Sequence, residues 1–241
     1  MQSGLYVALS GQIALQKRIT TIADNVANSN TVGFRAEQVR FETVLSEVPR
    51  DPVAFATDGT TYISRRSGEF VRTDNALDVA VEGDAWLSIA TPAGQVYTRD
   101  GRFKINEAGE LLTLNGHQVL DIGGAGILLD PNAGTPTIAR DGTIAQNNQQ
   151  VGVIGLFQID ERARLTRYEN SGVLPDRAAT PVLDFTKAGM QQGYTERANV
   201  NPVLEMSRLI MVSRAFEAIT NAINDSDASL KGAVRSLGET S

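Results

Sequence analysis

The sequence predicts an α+β protein: long N- and C-terminal helices pair as a coiled-coil-like hairpin and enclose a central antiparallel all-β domain, a small barrel or sandwich. Three observations predict it. Apolar residues near the N-terminus recur at alternating three- and four-residue intervals, and a longer C-terminal stretch repeats that spacing. Between them, short β-prone runs are broken by turn residues. The expected divisions are 1–34 for the first helix, 35–73 for a connector, 74–192 for the β domain and 193–241 for the second helix.

The first helix rests on Leu5, Ala8, Gln12, Leu15, Ile19, Ile22 and Val26, a stripe that Leu9 and Ile13 widen. A helix over 4–28 would be about 38 Å long at 1.5 Å per residue. It should stop in the run from Asn25 through Asn28 and Asn30 to Gly33. There, side-chain oxygens compete for backbone donors, and glycine permits a left-handed turn. The stretch 35–73 has isolated apolar residues around Pro49 and Pro52, and reads as an extended connector ending in a hairpin through Tyr62 to Val71.

The β domain is expected as a meander of short runs at Trp86, Gln95, Arg102, Glu110 and His117. Its breaks are Pro92-Ala93-Gly94, Asp100-Gly101, Asn106 to Gly109, Asn115-Gly116 and Gly123 to Gly126. Asp58, Asp100 and Asp141 each precede glycine, the pair that a type I′ turn favours. At the far end Asn201-Pro202 is a helix start, an N-cap side chain followed by a first-turn proline, with Glu205 near the positive end of the helix dipole. Val203, Met206, Ile210, Ser213, Phe216, Thr220, Ile223, Asp227, Leu230, Val234 and Leu237 form the expected second seam. It outruns the first, so an intramolecular pair leaves apolar surface for another molecule to cover.

Composition narrows the chemistry. The chain has 241 residues, no Cys and one His, His117, so thiolate sites, disulfides and two-histidine metal sites are excluded, and neither a cofactor nor a metal is expected. The net charge of −6 is divided as +2 over 1–40, −7 over 41–193 and −1 over 194–241, with no basic footprint for nucleic acid. No apolar run reaches the roughly 20 residues of a membrane span. The N-terminus lacks the basic start and apolar stretch of a secretory signal, which alone would suggest a cytoplasmic protein. Gly123-Gly124-Ala125-Gly126 lacks the third glycine of a dinucleotide loop, with Leu129 in its place. Arg65-Arg66 and Arg162, Arg164 and Arg167 read as solvated strand faces, and the sequon Asn224-Asp225-Ser226 falls inside the expected helix.

The run Ala23-Asp24-Asn25-Val26-Ala27-Asn28-Ser29-Asn30-Thr31-Val32-Gly33-Phe34-Arg35 resembles the N-terminal signature of the bacterial flagellar rod and hook proteins. Three further stretches agree: Asn75 to Trp86, containing Asp78, Gly83 and Asp84; Tyr97 to Phe103, containing Arg99, Asp100 and Gly101; and Asn199-Val200-Asn201-Pro202 with Glu205-Met206. Within the family, Thr195 and Ala198 depart from the distal-rod pattern, and the length and compact middle resemble a proximal-rod member, with the distal type as the alternative.

The resemblance implies a non-enzymatic structural subunit of the basal-body rod that assembles helically with copies of itself and with other rod proteins. Surrounding ring proteins are further candidate partners. It also implies passage through the flagellar export apparatus without a cleaved signal peptide, to a rod crossing the periplasm. The residues expected to carry assembly are Leu5, Leu9, Leu15, Ile19, Ile22, Val26, Val203, Met206, Ile210, Phe216, Ile223 and Leu230. A reading from another class, a hydrolase or ligand-binding module on the β domain, requires Asp84, Arg99 and Asp100 to converge on one pocket.

Overall fold

The computed structural model describes residues 2–45, 54–57 and 59–238, and within them the chain forms two compact units. Residues up to 27, 37–62 and from 201 onward build a helical unit; residues 28–36 and 63–200 build a strand unit.

The helical unit holds α1 (Gln2–Ala27) and α2 (Pro202–Gly238). Helix α2 begins where Asn201-Pro202 predicts: the Asn201 side-chain oxygen accepts from the Leu204 amide at 3.1 Å, and the Asn201 carbonyl accepts the first helical bond, from Glu205 at 3.0 Å. The helices meet through small and polar groups. Gln12 Nε2 donates to Thr220 Oγ1 at 3.1 Å, and a Cβ at Gly11 would lie 3.6 Å from Ile219 Cδ1.

The coiled-coil-like hairpin is therefore corrected. Residues buried on α1 are Ala14, Thr21, Ile22 and Asn25, while Leu9 and Ile13 are exposed. Among these only Ile22 is large and apolar, and one such residue among alanine, threonine and asparagine supplies too few knobs for a coiled-coil seam. On α2, the large apolar residues at least half-buried among those described are Leu209, Val212, Phe216, Ile219 and Ile223, with Glu205 also buried, whereas Val203, Met206 and Ile210 are exposed. Both stripes obey three-four spacing about 100° apart, so periodicity cannot choose between them. The side chains of Asp227, Leu230, Val234 and Leu237, like that of Leu5, lie outside the described residues.

In the strand unit the main sheet has nine antiparallel strands. Its path runs Leu165–Tyr168, Gly172–Pro175, Gly94–Thr98, Trp86–Thr91, Gln118–Val119, Leu111–Thr113, Phe103–Ile105. Leu156–Gln158 also pairs with the start of the Trp86 strand, and with Thr180–Pro181. The Trp86–Gln95, Arg102–Glu110 and Glu110–His117 hairpins form, but the expected meander breaks after Gly94–Thr98, which pairs with Gly172–Pro175 and not with Phe103–Ile105. The two end strands of the path do not pair with each other, so the expected small barrel does not close. Smaller sheets pack around it, among them Thr137–Ile138, Thr143–Gln146 and Gln149–Val153. One core comprises Val79, Val81, Leu87, Phe103, Leu111, Ile144 and their neighbours; a second gathers Trp86, Tyr97, Phe157, Ile159 and Val173.

Local expectations fared unevenly. The hairpin through Tyr62 to Val71 does not form, because Phe70–Arg72 pairs with Tyr194–Glu196 instead. Gly101 does not have the left-handed φ of a type I′ turn. Its lack of a Cβ matters because one would strike the Val79 carbonyl. A pair with positive φ at both central positions, Asn147 (50°) and Asn148 (60°), joins Thr143–Gln146 to Gln149–Val153.

Candidate functional site

Four segments that are distant in sequence converge in the strand unit on three charged side chains. Arg35, Arg99 and Glu196 are each at most 2% exposed. Glu196 faces both guanidinium groups, at 2.8 Å from Arg35 and 2.7 Å from Arg99. Arg99 also donates to the carbonyls of Val81 (2.7 Å), Gly83 (2.9 Å) and Ala85. Trp86 lies beside both cations, its ring centroid 5.8 Å from the Arg35 guanidinium and 5.9 Å from that of Arg99. Two cations to one carboxylate leaves a buried positive charge. Burial first, and then repulsion by Arg99, push Arg35 down to about 10, with Glu196 opposing the shift.

The motif residues build this junction through the backbone. Gly33 donates its amide to the Glu196 carbonyl at 2.7 Å and has φ +71°, and a Cβ there would run into the Arg99–Asp100 peptide. Phe34 is buried beneath the Arg167 guanidinium, 4.4 Å from its ring centroid. Asn199 Oδ1 accepts from the Ala36 amide at 2.6 Å, and its Nδ2 donates to the Arg66 carbonyl at 2.7 Å. Gly83 has φ +73°, and a Cβ there would strike the Lys187 carbonyl.

Asp78 receives Asn75 Nδ2 at 3.0 Å. Asp100 holds Arg102 at 2.7 and 2.9 Å, next to Gly101. Asn28, also in the strand unit, accepts from Thr31 Oγ1 at 3.2 Å; in the helical unit Asn25 bonds to Glu37, and Asn201 and Pro202 start α2.

The pocket required by the ligand-binding alternative is not assembled. Arg99 is buried with its donors occupied, Asp84 is exposed, and Asp100 is engaged by Arg102. Asp100 does reach one cavity, of about 30 Å³, shared with Thr98, Thr113, His117 and Glu169; that is room for a water or two. His117 Nε2 lies 3.3 Å from Glu169. Among the described residues no three His, Cys, Asp or Glu side chains are grouped to hold a metal ion.

The expected assembly residues divide by exposure. Leu9, Val203, Met206 and Ile210 are exposed, with Tyr6, Ile13, Leu204 and Met211 adding to the same helices; Val203 reaches 73%. Leu15, Ile19, Val26, Phe216 and Ile223 are half-buried, and Ile22 is buried. Sequence reasoning missed Tyr6, Leu204 and Met211, each of which directly follows a member of the expected stripes, Leu5, Val203 and Ile210, and it missed the junction. Charged residues at positions 35, 99 and 196 carry no periodic signal.

This arrangement of buried ionic junction and apolar helix faces binds and positions. Three family models match it: "Flagella basal body rod protein" over 5–35, "Flagellar hook protein FlgE/F/G D1 domain" over 80–146 and "Flagellar basal body rod FlgEFG protein C-terminal" over 191–235. The chain is 52% identical to the flagellar basal-body rod protein FlgF of Mesorhizobium japonicum over the whole of both chains. The chain belongs to the FlgF-type flagellar basal-body rod proteins. It is also 48% identical to FlgF of Rhizobium meliloti, over 99% of each chain. Against the rod protein FlgG of Bacillus subtilis the identity is 29%, over 96% of this chain and 97% of that one. The FlgF-type subunit is thus a structural component of the flagellar basal-body rod. Among its described residues, no helix is long and apolar enough to cross a membrane.

Proposed function

We propose that this rod subunit occupies the proximal rod and transmits torque through apolar contacts made by its two terminal helices. The observation carrying this is the exposure of Val203, Met206, Ile210 and Met211 on the first turns of α2, each more than half exposed. Large apolar side chains in such a cluster mark a surface meant for burial. Leu9 and Ile13 on α1 supply a second such face, and heterologous contacts that do not close into a ring propagate as a helix. The half-buried Leu15, Ile19, Val26, Phe216 and Ile223, with Ile22, would set helix positions behind these faces.

The strand unit would form the outer layer, facing neighbouring subunits and the surrounding rings. Absence of cysteine suits delivery of an unfolded chain through the export apparatus to a rod that crosses the periplasm. In dilute solution the terminal helices should be incompletely formed and only marginally stable, because their exposed amphipathic stripes stay uncovered until a neighbour packs on them. Circular dichroism checks this: helicity should rise on assembly, and a fully helical two-state monomer would refute it.

Electron microscopy of basal bodies from a deletion strain tests the assignment. The expected result is a rod arrested beyond its base, restored by the natural chain and not by one lacking either terminal helix. Complete rods and hooks in the deletion strain would overturn it.

A further inference from the structure

Arg35 sits in the strand unit on terms that differ from those of Arg99. Both acceptors to which Arg35 donates have a second donor. Glu196 Oε1 also receives the Gly68 amide at 2.7 Å, and the Arg66 carbonyl also receives Asn199 Nδ2 at 2.7 Å. Arg35 Nε is buried without a hydrogen-bond partner. Arg99 is the like charge that opposes it, and Arg35 is the second cation on a single carboxylate. A buried charge held this way costs desolvation that its contacts do not recover, since removing it orphans no acceptor. Arg99 is the reverse case, with three backbone carbonyls of its own.

The segment that carries Arg35 has a seat independent of that side chain. Gly33 donates to the Glu196 carbonyl (2.7 Å), the Phe34 carbonyl accepts from the Asn199 amide (3.3 Å), Ala36 donates to Asn199 Oδ1 (2.6 Å), and the Ala36 carbonyl accepts from the Ser64 amide (2.8 Å). Arg167 closes over it, donating to the Arg35 carbonyl and covering Phe34.

We propose that Arg35 makes residues 33–36 a releasable strap. Its surplus buried charge lowers the free energy of local opening below that of the sheet core, while the Glu196 carboxylate offsets part of that charge and so favours closure on the backbone seat. The two partners of one ion pair therefore act in opposite directions: Glu196 stabilises closure, and Arg35 opposes it. This inference rests on the hydrogen-bond accounting and not on the rod assignment.

Hydrogen exchange on the purified full chain tests it, comparing amides of 33–36 with those of 79–81 in the core. In the natural chain the strap should exchange faster than the core. Arg35→Met should slow strap exchange by about tenfold, the factor that corresponds to one decade in the opening equilibrium. Glu196→Gln should accelerate strap exchange, and the double variant should return toward the natural rate. Strap exchange that is unchanged or accelerated in Arg35→Met, or a double variant as fast as Glu196→Gln alone, would overturn the proposal. Should Glu196→Gln fail to fold, the Arg35→Met measurement decides by itself.

Discussion

Asn25 and Glu37 bind each other at both ends of one side-chain amide. Asn25 Nδ2 donates to the Glu37 carbonyl at 2.8 Å, and Asn25 Oδ1 accepts from the Glu37 amide at 2.8 Å. A buried asparagine near the end of α1 thus imitates a strand partner for the backbone that begins Glu37–Arg40.

Asn25→Ala removes both bonds and leaves two backbone groups without their partner, so it should cost about 2 kcal/mol. For a chain of this size that corresponds to a melting temperature lower by roughly 4–8 °C. Asn25→Asp keeps the acceptor and loses the donor, and should fall between. Thermal unfolding followed by circular dichroism distinguishes the three.

Two glycines with positive φ should respond differently to alanine. At Gly116 (φ +89°) nothing lies near an added Cβ, so Gly116→Ala should cost only the left-handed backbone penalty of about 1 kcal/mol. At Gly33 the same change also drives a methyl group into the Arg99–Asp100 peptide and should cost several times more. Urea midpoints measure both; equal losses would refute the close approach.

Asn201→Ala removes the side-chain acceptor for the Leu204 amide and should cost about 1 kcal/mol. Asn201→Asp should retain the cap and add a favourable charge at the helix start. Ellipticity at 222 nm through a denaturant titration reads the difference.

On α2 exposure and burial predict opposite defects. Met206→Ser and Ile210→Ser alter exposed residues and should leave monomer stability within about 0.5 kcal/mol while abolishing rod assembly and motility. Val212→Ala lies on the buried stripe and should lose roughly 2 kcal/mol of stability from the missing methyl groups. Unfolding curves and swimming assays on the same variants separate the two.

Asp160, Asp176 and Asp184 are held below the usual carboxylate value of 3.8, in each case first by a backbone amide, from Arg162, Arg164 and Thr186 respectively. A lowered folded value means the contribution is complete above pH 3.8 and is lost as pH falls through the lowered values. Carboxyl shifts followed by NMR should therefore titrate later on acidification than in the urea-unfolded chain, and the share of the melting temperature that these three carboxylates carry should be lost in that acidic window.

Legibility followed the range of the interaction. Asn201-Pro202 marks a helix start because capping is settled within four residues, and Gly33 marks a left-handed position for the same reason. The buried stripe of α2 was not legible, since Met206 and Ile210 satisfy the same spacing as Leu209, Val212 and Phe216. The Asn147-Asn148 turn carried a signal, two residues tolerant of positive φ between β-prone runs, that reading for glycine alone passes over.

The sequence by itself determined the α+β class, two long terminal helices, a middle built from short antiparallel strands, and a flagellar rod signature distributed along the chain. Tertiary structure decided which helix faces are covered, that the Leu156 strand lies against the Trp86 strand, and that Arg35, Arg99 and Glu196 share one buried site. The reason is physical: periodicity and capping are properties of neighbouring residues, whereas strand order and the pairing of buried charges depend on segments that meet only once the chain has folded.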